Sequence, residues 1–181
     1  VSVEPRHLET MRADWDGNDL VSIALRLPPS YRCTDAELQS MAEAISRSER
    51  WILAPGLAST SAEAADLLPD LHRLQSTGLL SDRLLYALPS SLPDRERRML
   101  SAAGVSILHC PHQDFRSGAL STISALHSEA TPVCLGSGCA ENVTGNHMFQ
   151  VLRWAAMLHK AVTQNPTAFP ADDVFRMATA N

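Results

Sequence analysis

Seven side chains able to bind a metal ion or attack a carbonyl fall in one late stretch of the chain: His109, Cys110, His112, Cys134, Cys139, Glu141 and His147. Imidazole nitrogen and thiolate sulfur suit zinc, and a carboxylate oxygen often joins them. A site rebuilt from these residues is one option for a divalent metal. Their spacing matches no zinc pattern, because none of the four cysteines stands in a Cys-x-x-Cys pair. Neighbours on a strand also face opposite ways, so His109 and Cys110 do not readily share one ion. The plainer expectation is thiols packed as small hydrophobes and rim histidines in water. Nucleophilic chemistry has less to stand on. Ser137 lies between Gly136 and Gly138 without the full Gly-x-Ser-x-Gly elbow. Cys139 near His147 is a lone thiol and base with nothing to orient them.

These residues must be positioned by the elements around them. Short apolar runs alternate with longer amphipathic ones. Val21–Leu27, Trp51–Ala54, Arg83–Leu88, Val105–His109 and Pro132–Gly136 read as strands. They are apolar throughout rather than alternating, as in a parallel sheet buried on both faces. Between them, Thr34-Asp35-Ala36-Glu37 reads as a capping box opening a helix to Arg47. Further helices are expected over Ala62–Ser76 with a break at Pro69, Pro93–Ala103 with Gly104 as its stop, Gly118–Ser128, Asn146–Gln164 and Pro170–Ala180. The class is α/β with a parallel sheet. Five strands fit an open doubly wound sheet, or part of an eight-stranded barrel. No Gly-rich phosphate loop follows a strand, which speaks against a nucleotide-binding sheet.

The 181 residues are 45% apolar and 19% charged, enough for one packed domain and unlike a disordered chain. The net charge of −5, with no basic stripe, excludes a nucleic-acid binder. Arg95–Arg98, interrupted by Glu96, reads as a solvated helix face. No apolar run approaches the ~20 residues of a membrane span. The scattered cysteines point to reduced thiols and a cytoplasmic setting. Trp51, Trp154, Met148 and Met157 are expected in packing rather than in a cofactor box. The first residue is Val rather than Met, and the expectation is a chain that is processed or belongs to a longer polypeptide.

Val105–Gly118, VSILHCPHQDFRSG, resembles the seventh-strand signature of the amidohydrolase superfamily in its deaminase and chlorohydrolase branch: an apolar strand, His-Cys-Pro or His-Asn-Pro, and a Ser-Asn-x-x-x-Gly-like loop. Val133–Gly138 with His147-Met148-Phe149 resembles the eighth strand and the helix after it. Trp154–Lys160 and Phe169–Asn181 resemble the late helices, and Leu25–Leu38 the fourth-strand turn. The resemblance runs in order from about Asp14 to Asn181. It implies strands four to eight of a TIM-type barrel, as a single domain over residues 1–181. The first three strands and a flanking β-sandwich would lie elsewhere.

The resemblance also implies a chemistry. Such hydrolases hold one divalent metal at the C-terminal strand ends, where it acidifies a bound water for attack at neutral pH. Their ligands are two His on strand one, a His each on strands five and six, and an Asp on strand eight. A Glu after strand five moves the proton. Here the fifth-strand His position falls on Gly56, the Glu position on Ser59, the sixth-strand His on Leu88 and the eighth-strand Asp on Gly138. The fourth-strand His falls on Pro28. Gly and Leu carry no donor, and Ser cannot stand in for a carboxylate as proton shuttle. The resemblance retains His109, a residue expected to line a substrate pocket, beside Asp114 at a position where the family often has Asn. The expectation is therefore a hydrolase-derived barrel with a degenerate site, non-canonical or metal-free, that binds a small molecule, catalyses a metal-free reaction or serves as a structural subunit. The alternative is part of an active C–N hydrolase or deaminase whose catalytic residues, and a metal such as zinc, lie upstream. Five strands of a barrel leave two parallel edges open, so a second chain or the N-terminal strands are expected to complete the sheet.

Overall fold

A computed structural model describes residues 10, 13–15, 18, 24–27, 33–46, 52–54, 67–87, 92–117, 123, 127, 131–138 and 147–180. Among these residues are five strands: β1 (Leu25–Arg26), β2 (Ile52–Ala54), β3 (Leu84–Ala87), β4 (Ser106–His109) and β5 (Val133–Leu135). Six helices are α1 (Asp35–Ser46), α2 (Leu67–Ser76), α3 (Asp94–Ala102), α4 (Pro111–Ser117), α5 (Met148–Thr163) and α6 (Ala171–Thr179).

Local chemistry accounts for the boundaries. The Thr34 N–H donates to Glu37 Oε2 at 2.7 Å and the Glu37 N–H donates to Thr34 Oγ1 at 3.2 Å, the reciprocal pair of a capping box. The Thr34 N–H, and then its hydroxyl at 2.9 Å, both donate to Glu37 Oε2 and hold this exposed carboxyl below its ordinary range. Pro69 does not break α2. The helix runs through it to Ser76, and the part of the expected helix before Leu67 lies outside the described residues. Gly104, at φ +70°, follows α3 in the left-handed conformation that ends helices. Helix α4 begins directly after β4, in the stretch read from sequence as loop. The helix expected over 118–128 lies mostly outside the described residues.

All four strand pairings are parallel and the order is β1-β2-β3-β4-β5. A doubly wound sheet reverses direction at a switch point. This one never does, and right-handed crossovers that always step the same way lay every helix on one face. That is the winding of a TIM-type barrel, and it decides between the two α/β arrangements open at the sequence level.

The two faces differ. Tyr86, Ile107 and Val133 pair in register and are almost wholly buried. With Val151, Ala155, Val174 and Met177 from α5 and α6 they form one core, so this face packs against helices. Ala87, Leu108 and Cys134 pair in the adjacent register row and are only half-buried. They point the other way, to the interior side of the curved sheet. Some packing expectations need correction. Met148 and Met157 are exposed on α5, whereas Trp154 is half-buried; Trp51 lies outside the described residues. Glu96 is buried within the Arg95–Arg98 stretch read as a solvated face. No described helix is long and apolar enough to cross a membrane.

Candidate functional site

His109 ends β4 and has the strand parity of Ile107, so its ring leaves the sheet on the helix-packed face. It is 1% exposed. Its Nδ1 lies 3.2 Å from Asp114 Oδ2 on α4, and its Nε2 lies 3.0 Å from His159 Nε2 on α5. Its carbonyl accepts the Gly136 N–H at 2.9 Å from the end of β5. One residue thus ties together two strands and two helices.

His159 is equally buried and packs its ring on Phe169, with centroids 4.3 Å apart. Burial, then the repulsion that protonated forms of His109 and His127 would exert, push its pKa from 6.5 down to about 3. It is a neutral ring at any ordinary pH. Phe169 adopts φ 49°, an uncommon conformation for a bulky residue. It is held there by Lys160, whose Nζ donates to the carbonyls of Ala168 and Phe169. On the far side His127 lies 5.0 Å from the Phe169 ring, with its Nε2 3.7 Å from Asp173 Oδ2. The polar groups of this corner run in one line from α4 to the start of α6.

One strand away, the end of β5 is bare. A Cβ on Gly136 would stand 2.9 Å from Leu108 Cδ1 and 3.2 Å from Cys110 Sγ. A larger residue there would have to displace the Leu108 and Cys110 side chains. Gly138 has φ +80°, and a Cβ there would stand 3.1 Å from Gln113 Oε1. The Gln113 amide from α4 therefore lies against the place where a longer side chain would begin.

The remaining chemical candidates do not converge. Cys110 and Cys134 are half-buried thiols, and burial pushes the Cys134 thiol up. His112 meets the Trp154 ring edge-on at 6.1 Å, and its Nδ1 is buried with no hydrogen-bond partner among the described residues. His147 is exposed before α5. Among the described residues no group of three or more His, Cys, Asp or Glu side chains is placed to hold a metal. Cys139, Glu141, Gly56, Ser59, Leu88 and Pro28 lie outside those residues.

Sequence reasoning named His109 and Asp114, which the structure brings together, and Gly138. It missed His159, Phe169 and Gln113. His159 carried a usable signal: it falls one turn beyond Ala155 and two beyond Val151, on the apolar stripe of a helix, where a polar residue needs a partner.

Comparison with known proteins places this geometry. The chain is 30% identical, over 97% of its length, to a 5-methylthioadenosine/S-adenosylhomocysteine deaminase of Syntrophobacter fumaroxidans. It is 27% identical over 173 residues to a 5'-deoxyadenosine deaminase of Methanothrix thermoacetophila. An adenosine deaminase from Xanthomonas campestris, crystallised with bound zinc, superposes with a TM-score of 0.85 at 27% identity over 96% of the chain. This chain belongs to the amidohydrolase superfamily. An atrazine chlorohydrolase of Arthrobacter aurescens, complexed with zinc and atraton, superposes with a TM-score of 0.82 at 25% identity. The match is thus to the superfamily's deaminase and chlorohydrolase branch. No family model matches the chain. It spans about 41% of the first deaminase and of the first crystal structure, the part of a TIM-type barrel that supplies its five described strands.

Of the metal-ligand positions that the sequence resemblance implies, Gly138 is the one among the described residues. Gly138 has no side-chain donor, its backbone sits in a left-handed conformation, and Gln113 fills the adjacent space. Gln113, His112 and Cys110 do not combine with it into a ligand set. Gly138 thus offers no ligand of its own, and the other ligand positions that the resemblance implies lie outside the described residues.

Proposed function

We propose that this chain is part of a deaminase-type barrel that binds a small nitrogenous molecule at the C-terminal rim of its sheet, without a hydrolytic metal held by strands five, six and eight. The observation that carries the reading is Gly138 with the Gln113 amide against it, where the superfamily's eighth-strand carboxylate belongs. Gly56 and Leu88, at the other two positions, are residue types without a donor. His109 and Asp114 serve the rim in this reading, with His109 acting from behind it because its ring lies on the helix-packed face.

A second reading is a working deaminase in which residues outside this chain supply the metal site. The names of the relatives support it, and likeness alone favours it over the metal-free reading. Fold and chemistry separate readily in barrels, so the choice rests on the site. Under either reading β1 and β5 present unpaired parallel edges among the described residues, and further strands or a second chain complete the sheet.

The test is an ammonia-release assay of the intact protein with adenosine-type nucleosides, paired with thermal shift. A raised Tm without ammonia is the expected result. Turnover with added zinc or iron would establish the second reading instead.

A further inference from the structure

His109 stands between two partners that cannot both be satisfied at random. An ionised Asp114 carboxylate only accepts, so the His109 Nδ1 facing it carries a proton. The 3.0 Å contact between the two Nε2 atoms needs one proton between them, and two lone pairs or two N–H groups would repel. A neutral His109 that is protonated on Nδ1 has a bare Nε2. The proton on the shared axis then belongs to His159, which donates through Nε2–H.

We propose that His159 is a positioning residue: it donates to the bare Nε2 of His109, which Asp114 holds as the Nδ1–H tautomer, and through the Asp114–His109–His159 line it sets where α4 places Gln113 against Gly138. The line is the set of polar contacts that joins α4 and α5 through the end of β4. Asp114 follows Gln113 directly, so anchoring one fixes the other. Both N–H groups of this pair of residues also bond back to the Cys110 carbonyl, at 3.0 and 3.1 Å, which makes the first turn of α4 a rigid unit. His159 is itself braced: Phe169 stacks on it, and Lys160 holds Phe169 in its unusual backbone conformation. A side chain kept at φ 49° for no structural return costs stability, so a residue so held is expected to constrain something. Here it constrains the plane of the His159 ring. The consequence for ligand binding rests on the rim reading above, whereas the tautomer assignment does not.

The experiment is nitrogen-15 NMR of the imidazoles in the intact protein, ligand-free, near pH 7.5, for wild type, His159→Gln and His159→Phe. Wild type is expected to show His109 with a protonated Nδ1 and a hydrogen-bonded, unprotonated Nε2, and a single downfield N–H proton on the shared axis. His159→Gln, whose amide N–H still donates, is expected to keep the His109 tautomer. His159→Phe is expected to lose the downfield proton and to move the His109 Nε2 resonance to that of an unbonded nitrogen, with Nδ1 still protonated toward Asp114. A wild-type His109 protonated on Nε2 would overturn the proposal whatever the variants do. So would a His109 spectrum unchanged in His159→Phe. Tautomer results as expected, combined with ammonia release in the assay above, would leave this inference standing while removing the metal-free reading.

Discussion

The ends of β4 and β5 are neighbours in one sheet, yet they have opposite characters. At β4 a histidine, a carboxylate and a second histidine share a buried line, and the backbone of the following helix closes around it. At β5 the chain turns through two glycines and presents no side chain except Ser137 between them. The difference tracks packing. His109 faces helices, where an unpartnered ring nitrogen would cost stability, so its partners are tied to the fold itself. Gly138 is exposed at the rim, where the lack of a side chain leaves nothing buried and unsatisfied. The polar groups at the end of β4 are held by the core, and the end of β5 makes no such demand.

The comparison breaks first at His159. His159→Ala opens a cavity and strands the His109 Nε2, and is expected to cost about 3 kcal/mol of unfolding free energy in urea. A loss below about 1 kcal/mol would mean that the line contributes little to the fold.

Acidification gives the next largest effect. The folded pKa of His159 lies near 3 against 6.5 unfolded, so below pH 6.5 the unfolded chain takes up a proton that the folded one refuses. The stability is therefore fully present above pH 6.5 and is lost as pH falls toward 3. Between pH 7 and pH 5 this residue is expected to remove about 2 kcal/mol. His159→Gln should flatten the profile by that amount, measured as the difference between the two curves. Equal slopes in wild type and variant would show that His159 is not held neutral.

At β5 the expected effects are smaller. Gly138→Ala forces a side chain into a left-handed backbone and against Gln113, at a cost of about 1–2 kcal/mol. Adding Gln113→Ala should recover the steric share of that cost and none of the backbone share. Gly138→Asp is expected to cost about the same and to leave metal content unchanged, because a single carboxylate against an amide is no ligand set. Metal uptake by that variant would mean that the rest of the site survives.

Much of the fold was legible in the residues. The apolar runs at Arg83–Leu88, Val105–His109 and Pro132–Gly136 locate β3, β4 and β5 to within a residue or two, because strands buried on both faces leave no competing period. The Thr34–Glu37 box and Gly104 marked helix ends through hydrogen bonds and backbone conformations that few other residues supply. Strand order was not legible in the apolar runs themselves; the resemblance to strands four to eight of a TIM-type barrel supplied it, and the unreversed order agrees. Only the spatial sequence of the strands, without a reversal, distinguishes barrel winding from an open sheet. For the site, the pairing of His109 with Asp114 lay within five residues and was visible as proximity. The partner fifty residues away was not, since a helix stripe shows that His159 is buried but not what it meets. Gln113 was invisible because its importance comes from a missing Cβ on another strand.

The central claim is that the strand ends of this barrel no longer hold a hydrolytic metal. The most direct measurement is elemental analysis of the intact protein, purified without chelators and equilibrated with zinc or iron before buffer exchange. The account predicts well under one metal ion per chain, unchanged in Gly138→Asp. One tightly held zinc or iron per chain would contradict it.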